Sequence, residues 1–227
     1  MELLPILFLG LMMGVQHAFD PDHVAAIVSL STKTKSLKQS LPRGIVWGIG
    51  HTLAILAIGL LVLLFNIAIP ESFSLLFETM VGLALIALGV SIILEVVKER
   101  IHTHAHIHGG VKHAHFHSHE DAGTHDHYHG SPALIKPLVV GTLHGLAGSA
   151  ALMLLVLSAT DSFSSGFLYI IIFGLGSIIG MVIITSTVSL PFVITSDIYK
   201  NFHQLIGISS AIISIVFGVF YIAGLFF

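Results

Sequence analysis

Apolar residues fill six stretches of the chain, at about 3–19 (with a continuation to about 30), 44–65, 75–97, 133–159, 165–190 and 204–226. Polar residues gather in short breaks between them and in one long break, 98–131. Crossing a hydrocarbon core takes roughly 20 apolar residues in a helix. The pattern therefore predicts an all-α integral membrane protein with six transmembrane helices. The first stretch reads as a retained helix, because Met1-Glu2-Leu3-Leu4 lacks a basic start and no small-residue cleavage site follows. Composition agrees. Only 9% of the 227 residues are charged against 55% hydrophobic, too little charge for a soluble domain's wetted surface. Nine Lys and Arg against twelve Asp and Glu leave no basic field for a nucleic acid. With no cysteine, thiolate metal sites, disulfides and Cys nucleophiles are excluded.

The cations set an orientation. Lys33, Lys35, Lys38, Arg43, Lys98, Arg100, Lys112, Lys136 and Lys200 all lie at the first, third or fifth connection or beside it. The termini and the breaks at 66–74 and 160–164 have none. The positive-inside rule puts both termini outside and residues 98–131 in the cytoplasm, in a cytoplasmic membrane.

A weak repeat runs through the chain. Trp47-Gly48-Ile49-Gly50-His51 aligns with Phe173-Gly174-Leu175-Gly176-Ser177, and His17-Ala18-Phe19 with His144-Gly145-Leu146, at offsets of 126 and 127. Two halves of three crossings each must have opposite topology, as in many secondary transporters. The chain divides into 1–97, a first three-helix repeat; 98–131, a cytoplasmic His-rich loop; and 132–227, a second repeat.

The chemistry concentrates at His17-Ala18-Phe19-Asp20-Pro21-Asp22-His23. Ionisable groups at the end of an apolar helix are costly and normally face the bundle interior with partners. A straight helix would scatter His17, Asp20, Asp22 and His23 around its axis. Pro21 has no N–H for the His17 carbonyl and crowds it, so helix one breaks there and can turn all four toward one cavity. Imidazole and carboxylate without sulfur suit divalent Ni, Co, Zn, Fe or Mn. His51 in the next helix is a further candidate ligand, and His144 a second-half contributor, although each also reads as a packed histidine. Eleven of the sixteen histidines lie in the long break: His102, His104, His106, His108, His113, His115, His117, His119, His125, His127 and His129. That composition predicts a solvated low-complexity tract, not a packed element, able to chelate metal as an auxiliary site.

The His17-x4-Asp22-His23 pattern and the Gly50-His51 pair resemble the signature of the nickel/cobalt transporter family. The length and six-helix layout look closest to its short, urease-accessory-type nickel permease branch. The resemblance implies a permease moving Ni²⁺ or Co²⁺ across the membrane, with His17, Asp20, Asp22, His23 and His51 as the metal site. It implies no catalytic cofactor, and as partners the metal ion, the lipid bilayer and a cytoplasmic metal chaperone. The chain departs from the longer members, which carry an Asp/Thr/Glu motif where this one reads His144-Gly145-Leu146-Ala147-Gly148-Ser149. Two alternatives remain at this stage. An exporter would use the same groups in reverse. An intramembrane zinc hydrolase would need a His-Glu-x-x-His or comparable base, which the sequence lacks. No phosphate-binding Gly-x4-Gly-Lys-Ser/Thr loop is present either, so the chain reads as no enzyme and carries no ATPase of its own.

Overall fold

The computed structural model describes residues 3–32, 34, 36–65, 67, 69–100, 102–108, 111–117, 134–159, 162–195 and 200–226. Seven helices run through them: α1 (Leu3–His17), α2 (Pro21–Ser31), α3 (Leu37–Phe65), α4 (Glu71–Arg100), α5 (Ile135–Ala159), α6 (Phe163–Thr195) and α7 (Lys200–Phe226). Four segments among the described residues are long and apolar enough to cross a membrane: Leu37–Phe65, Glu71–Val97, Phe163–Ile194 and Gln204–Phe226. The bundle is turned out in the way lipid requires. Leu53, Leu61, Leu64, Val139, Ile179, Ile183 and Phe220 are exposed, and the interior holds Trp47, Ile55, Leu85, Tyr169 and Met181. This is an integral membrane bundle.

The chain leaves helical geometry between α1 and α2. Ala18 N–H still reaches the Gly14 carbonyl, but Phe19 and Asp20 tighten to the carbonyls of Gln16 and His17, at 2.9 and 3.1 Å. Asp20 then takes an extended backbone (φ −59°, ψ 143°) as the residue before α2, and Pro21 opens that helix. Proline suits the first helical position because its missing N–H would be unpaired there anyway.

Several helices start earlier than hydropathy suggests. α3 begins at Leu37, because Ser36 accepts from the Gln39 and Ser40 amides and starts a polar first turn. Pro70 does the same for α4 through Phe73 and Ser74. Hydropathy marks the membrane, whereas capping marks the helix, and the two need not coincide.

One expectation for 98–131 is corrected. Residues 102–108 and 111–117 have regular backbone structure. Strands β1 (His102–His108) and β2 (Val111–His117) form an antiparallel pair, with His102 opposite His117, His104 opposite His115 and His106 opposite His113. The His-x-His alternation carries a strand period. Composition masked that signal. His119, His125, His127 and His129 lie outside the described residues.

Packing brings the two halves of the chain together. α1 lies on α6, α3 on both α5 and α6, and α4 on α7. Small residues let the backbones touch, the usual solution where no hydrophobic effect separates helix from lipid. Gly14 faces the Phe173 carbonyl and Gly176 the Leu11 carbonyl at the α1–α6 seam. At the α3–α5 seam, Gly141 faces the Trp47 carbonyl, and a Cβ on Gly50 would stand 2.6 Å from the Leu138 carbonyl oxygen.

Candidate metal centre

The corner between α1 and α2 sits against α3, α5 and α6, and five of the six candidate ligands converge with the sixth alongside. His17 is the last residue of α1, Asp22 and His23 lie in the first turn of α2, and His51 comes from the middle of α3. Ring centroids of His17 and His23 are 4.8 Å apart, His17 and His51 5.1 Å, and His23 and His51 5.2 Å. His144, from α5, stands 5.1 Å from His23. Two sets of ligand atoms lie within 4.8 Å of one another: His17, His23 and His51, and separately Asp20, Asp22 and His23.

Three of the four rings are held at Nδ1, while His51 Nδ1 is buried with no partner among the described residues. His17 Nδ1 is 2.7 Å from Asp20 Oδ2, and His23 Nδ1 is 3.2 Å from Asp22 Oδ1. His144 Nδ1–H donates to the Val140 carbonyl at 2.8 Å. A carboxylate or carbonyl only accepts, so these contacts put the proton on Nδ1 and the lone pair of a neutral ring on Nε2. Among the described residues, Nε2 of His23 and of His144 has no hydrogen-bond partner, and both residues are only 1% exposed. The His144 ring also lies beside the Asp22 main chain. Imidazole anchored through Nδ1 with an open Nε2 is the usual preparation of a metal ligand. His17 Nε2 and His51 Nε2 are 3.2 Å apart. Two nitrogens on one metal at about 2.0–2.1 Å stand about 2.9–3.4 Å apart for right to tetrahedral angles, so the spacing suits a shared cation.

The carboxylates sit where helix ends help them. Asp22 is in the first turn of α2, whose N-terminus carries partial positive charge, while α1 ends its carbonyls at the same corner. Negative ligands are thus favoured on one side of the break and a cation on the other.

A cavity of about 720 Å³ leads to this corner. It runs from Ser74 in the first turn of α4 and Tyr221 near the end of α7 to His17, Asp20, Asp22, His23 and His144. Glu78 and Gln16 also line it, and Ser74 Oγ donates to Glu78 at 2.9 Å. On the opposite side Trp47 closes the site, stacked on His23 at 5.6 Å and edge-on to His144 at 5.7 Å. Behind Trp47 is a chamber of only about 10 Å³, bounded by Ser31, Thr185 and Arg43. Arg43 donates to Thr34 Oγ1 at 2.7 Å, tying the α2–α3 connection to α3. Sequence reading passed over Glu78, Tyr221 and Trp47. Glu78 had a usable signal, an acid inside a predicted apolar span. Trp47 and Tyr221 had none, since aromatic residues are common in such helices.

Comparison with known proteins is consistent across the whole chain. A family model described as NicO, high-affinity nickel-transport protein, matches residues 4–225. The urease accessory protein UreH of Bacillus sp. (strain TB-90) is 37% identical over 227 residues, covering 99% of this chain and 93% of the relative. No solved structure matches.

Proposed function

The chain belongs to the NicO family of high-affinity nickel-transport proteins, and from that premise we propose that it takes Ni²⁺, and Co²⁺ with it, into the cell through the His/Asp corner. The observation that carries this reading is the open Nε2 of buried His23 at the end of a cavity that also holds Asp20, Asp22 and Glu78. The carboxylates draw in a divalent cation, and the imidazoles of His17, His23 and His51 replace part of its water. Three neutral nitrogens with flanking carboxylates suit Ni²⁺ and Co²⁺ better than Mg²⁺ or Ca²⁺. A transport family also weighs against the hydrolase alternative, in which the same groups would activate a water.

The architecture behind this proposal is six crossings in two inverted repeats, with the first crossing split into α1 and α2. Seam contacts support it: Gly14 on the Phe173 carbonyl has a counterpart in Gly141 on that of Trp47, and Gly176 on Leu11 has one in Gly50 on Leu138, at the offsets of the sequence repeat. On this reading 1–97 and 132–227 are the repeats, and 98–131 is a cytoplasmic loop that buffers metal or passes it to a chaperone. Ser74 and Tyr221 line the cavity and lie toward helix ends free of Lys and Arg, so on this reading the site faces outward.

Two experiments test these statements. Purified chain in proteoliposomes should accumulate radiolabelled Ni²⁺ and Co²⁺ in preference to Zn²⁺, Fe²⁺ and Mn²⁺. Net efflux from loaded, oriented vesicles without uptake would favour the exporter. Reporter fusions at residues 36 and 115 should read cytoplasmic and one after Phe227 external. An external reading at 115 would reverse the orientation and with it the role of the loop.

A further inference from the structure

The two donor sets at the corner differ in chemistry as well as place. Asp20, Asp22 and His23 form an oxygen-rich set, and His17, His23 and His51 an all-nitrogen set. The outer set includes the most exposed group, Asp20 at 47%, and the all-nitrogen set the most buried, His51, with Asp22 and His17 between at 17% and 19%. Asp20, Asp22, His17 and His23 line the cavity, whereas His51 does not, so a cation from the cavity meets the carboxylates before His51. His23 belongs to both sets. Its Nδ1 is beside Asp22, and its Nε2 is open and buried.

We propose that these are two overlapping cation stations sharing His23: an outer carboxylate station that receives a partly hydrated cation, and an inner three-imidazole station that decides which cation goes on. The inference rests on the corner being the transport site and adds how that site discriminates. Carboxylate and water suit Mg²⁺, Ca²⁺ and Mn²⁺, and imidazole suits Ni²⁺ and its neighbours, with Mn²⁺ weakest of the first-row divalent ions. A single mixed site would rank all these ions on one scale. Two stations in series separate capture from acceptance. His23 lets the cation pass between them without full release, since the same ring belongs to both sets. Hard cations therefore stop at the outer station and block it without being carried.

Mn²⁺ is the probe. In proteoliposomes of the full chain, Mn²⁺ added on the cavity side should inhibit ⁶³Ni²⁺ uptake competitively, while ⁵⁴Mn²⁺ itself is not accumulated. Asp20→Asn keeps an acceptor for His17 Nδ1 but removes the outer charge. It should raise the inhibition constant for Mn²⁺ at least tenfold and the KM for nickel by clearly less. His51→Ala should stop nickel uptake yet still bind Mn²⁺, read from the loss of the free-ion electron paramagnetic resonance signal. That binding measurement uses the chain with its eleven loop histidines changed to Ser. Accumulation of Mn²⁺ at the nickel rate would overturn the proposal, as would equal factors on both constants in Asp20→Asn. So would His51→Ala protein that loses Mn²⁺ along with nickel in a folded state. Failure of the transport reading looks different: wild-type vesicles would carry no nickel at all, while Mn²⁺ binding to the carboxylates could still be measured.

Discussion

Asp22→Asn is expected to lower nickel uptake at least 100-fold with the protein still folded and inserted. Asparagine keeps the shape and still accepts from His23 Nδ1, 3.2 Å away, so the change removes little but charge. In water such a loss is small. At this depth it leaves part of a divalent charge without its counter-charge, and a charge inside a membrane costs about 2.5–3.5 kcal/mol on insertion scales. A hundredfold fall corresponds to about 2.7 kcal/mol, within that range. His23→Ala should be as severe, because it removes the one ring common to both donor sets. His144→Ala should be milder, about tenfold, since His144 stands beside His23 but outside both sets. Initial rates of ⁶³Ni²⁺ uptake, normalised to protein in the membrane, decide the matter. Wild-type rates for both Asp22→Asn and His23→Ala would remove the corner from the transport path.

A comparable loss should follow from a residue that touches no metal. A Cβ on Gly141 would overlap Trp47, both its Cδ1 and its carbonyl oxygen. A side chain could turn away, but a helix backbone cannot, so Gly141→Ala must force α3 and α5 apart. Overpacking of this kind costs about 1–3 kcal/mol, and the rigid neighbour puts this case at the upper end. Trp47 is stacked on His23, so displacement reaches the site as well as the fold. The melting temperature in detergent should fall and nickel uptake with it. Gly207→Ala in α7 is the control: nothing lies within 4 Å of the added methyl, and alanine favours a helix over glycine by about 0.5–1 kcal/mol. Equal melting temperatures for Gly141→Ala and wild type would show the α3–α5 seam to be looser than the structure has it.

Much of this was legible along the chain, because its strongest signals are local. Apolar length marks α3, α4, α6 and α7, and Pro21 beside four ligand-type residues marks where α1 gives way to α2. His51 and His144 were harder. Whether a buried histidine is a ligand or packing depends on what the neighbouring helices bring to it, and the α3–α5 and α1–α6 contacts are set by glycines far away in sequence. Glu78 and Tyr221 belong to the site only because α4 and α7 close the same cavity. The strand pair β1–β2 was missed for the opposite reason. Its period of two was visible, but a histidine-rich composition outweighed it.

If the chain carries cations through this corner as proposed, the interruption after His17 shapes the cycle. A carrier made of two equivalent halves can show its site first to one side and then to the other by letting the halves trade shapes, and its two end states then have matching energies. Here trading is blocked. α5 runs unbroken through His144, where the first half has a corner, and Ala147, Ser149 and Ala150 stand where the first half has Asp20, Asp22 and His23. On the two-repeat transport reading proposed above, the inward-facing state is reached by a different deformation, with a different fit to the cation. Affinity on the two faces would then be unequal, and uptake and release would differ in their kinetics even when the ion gradient alone supplies the drive.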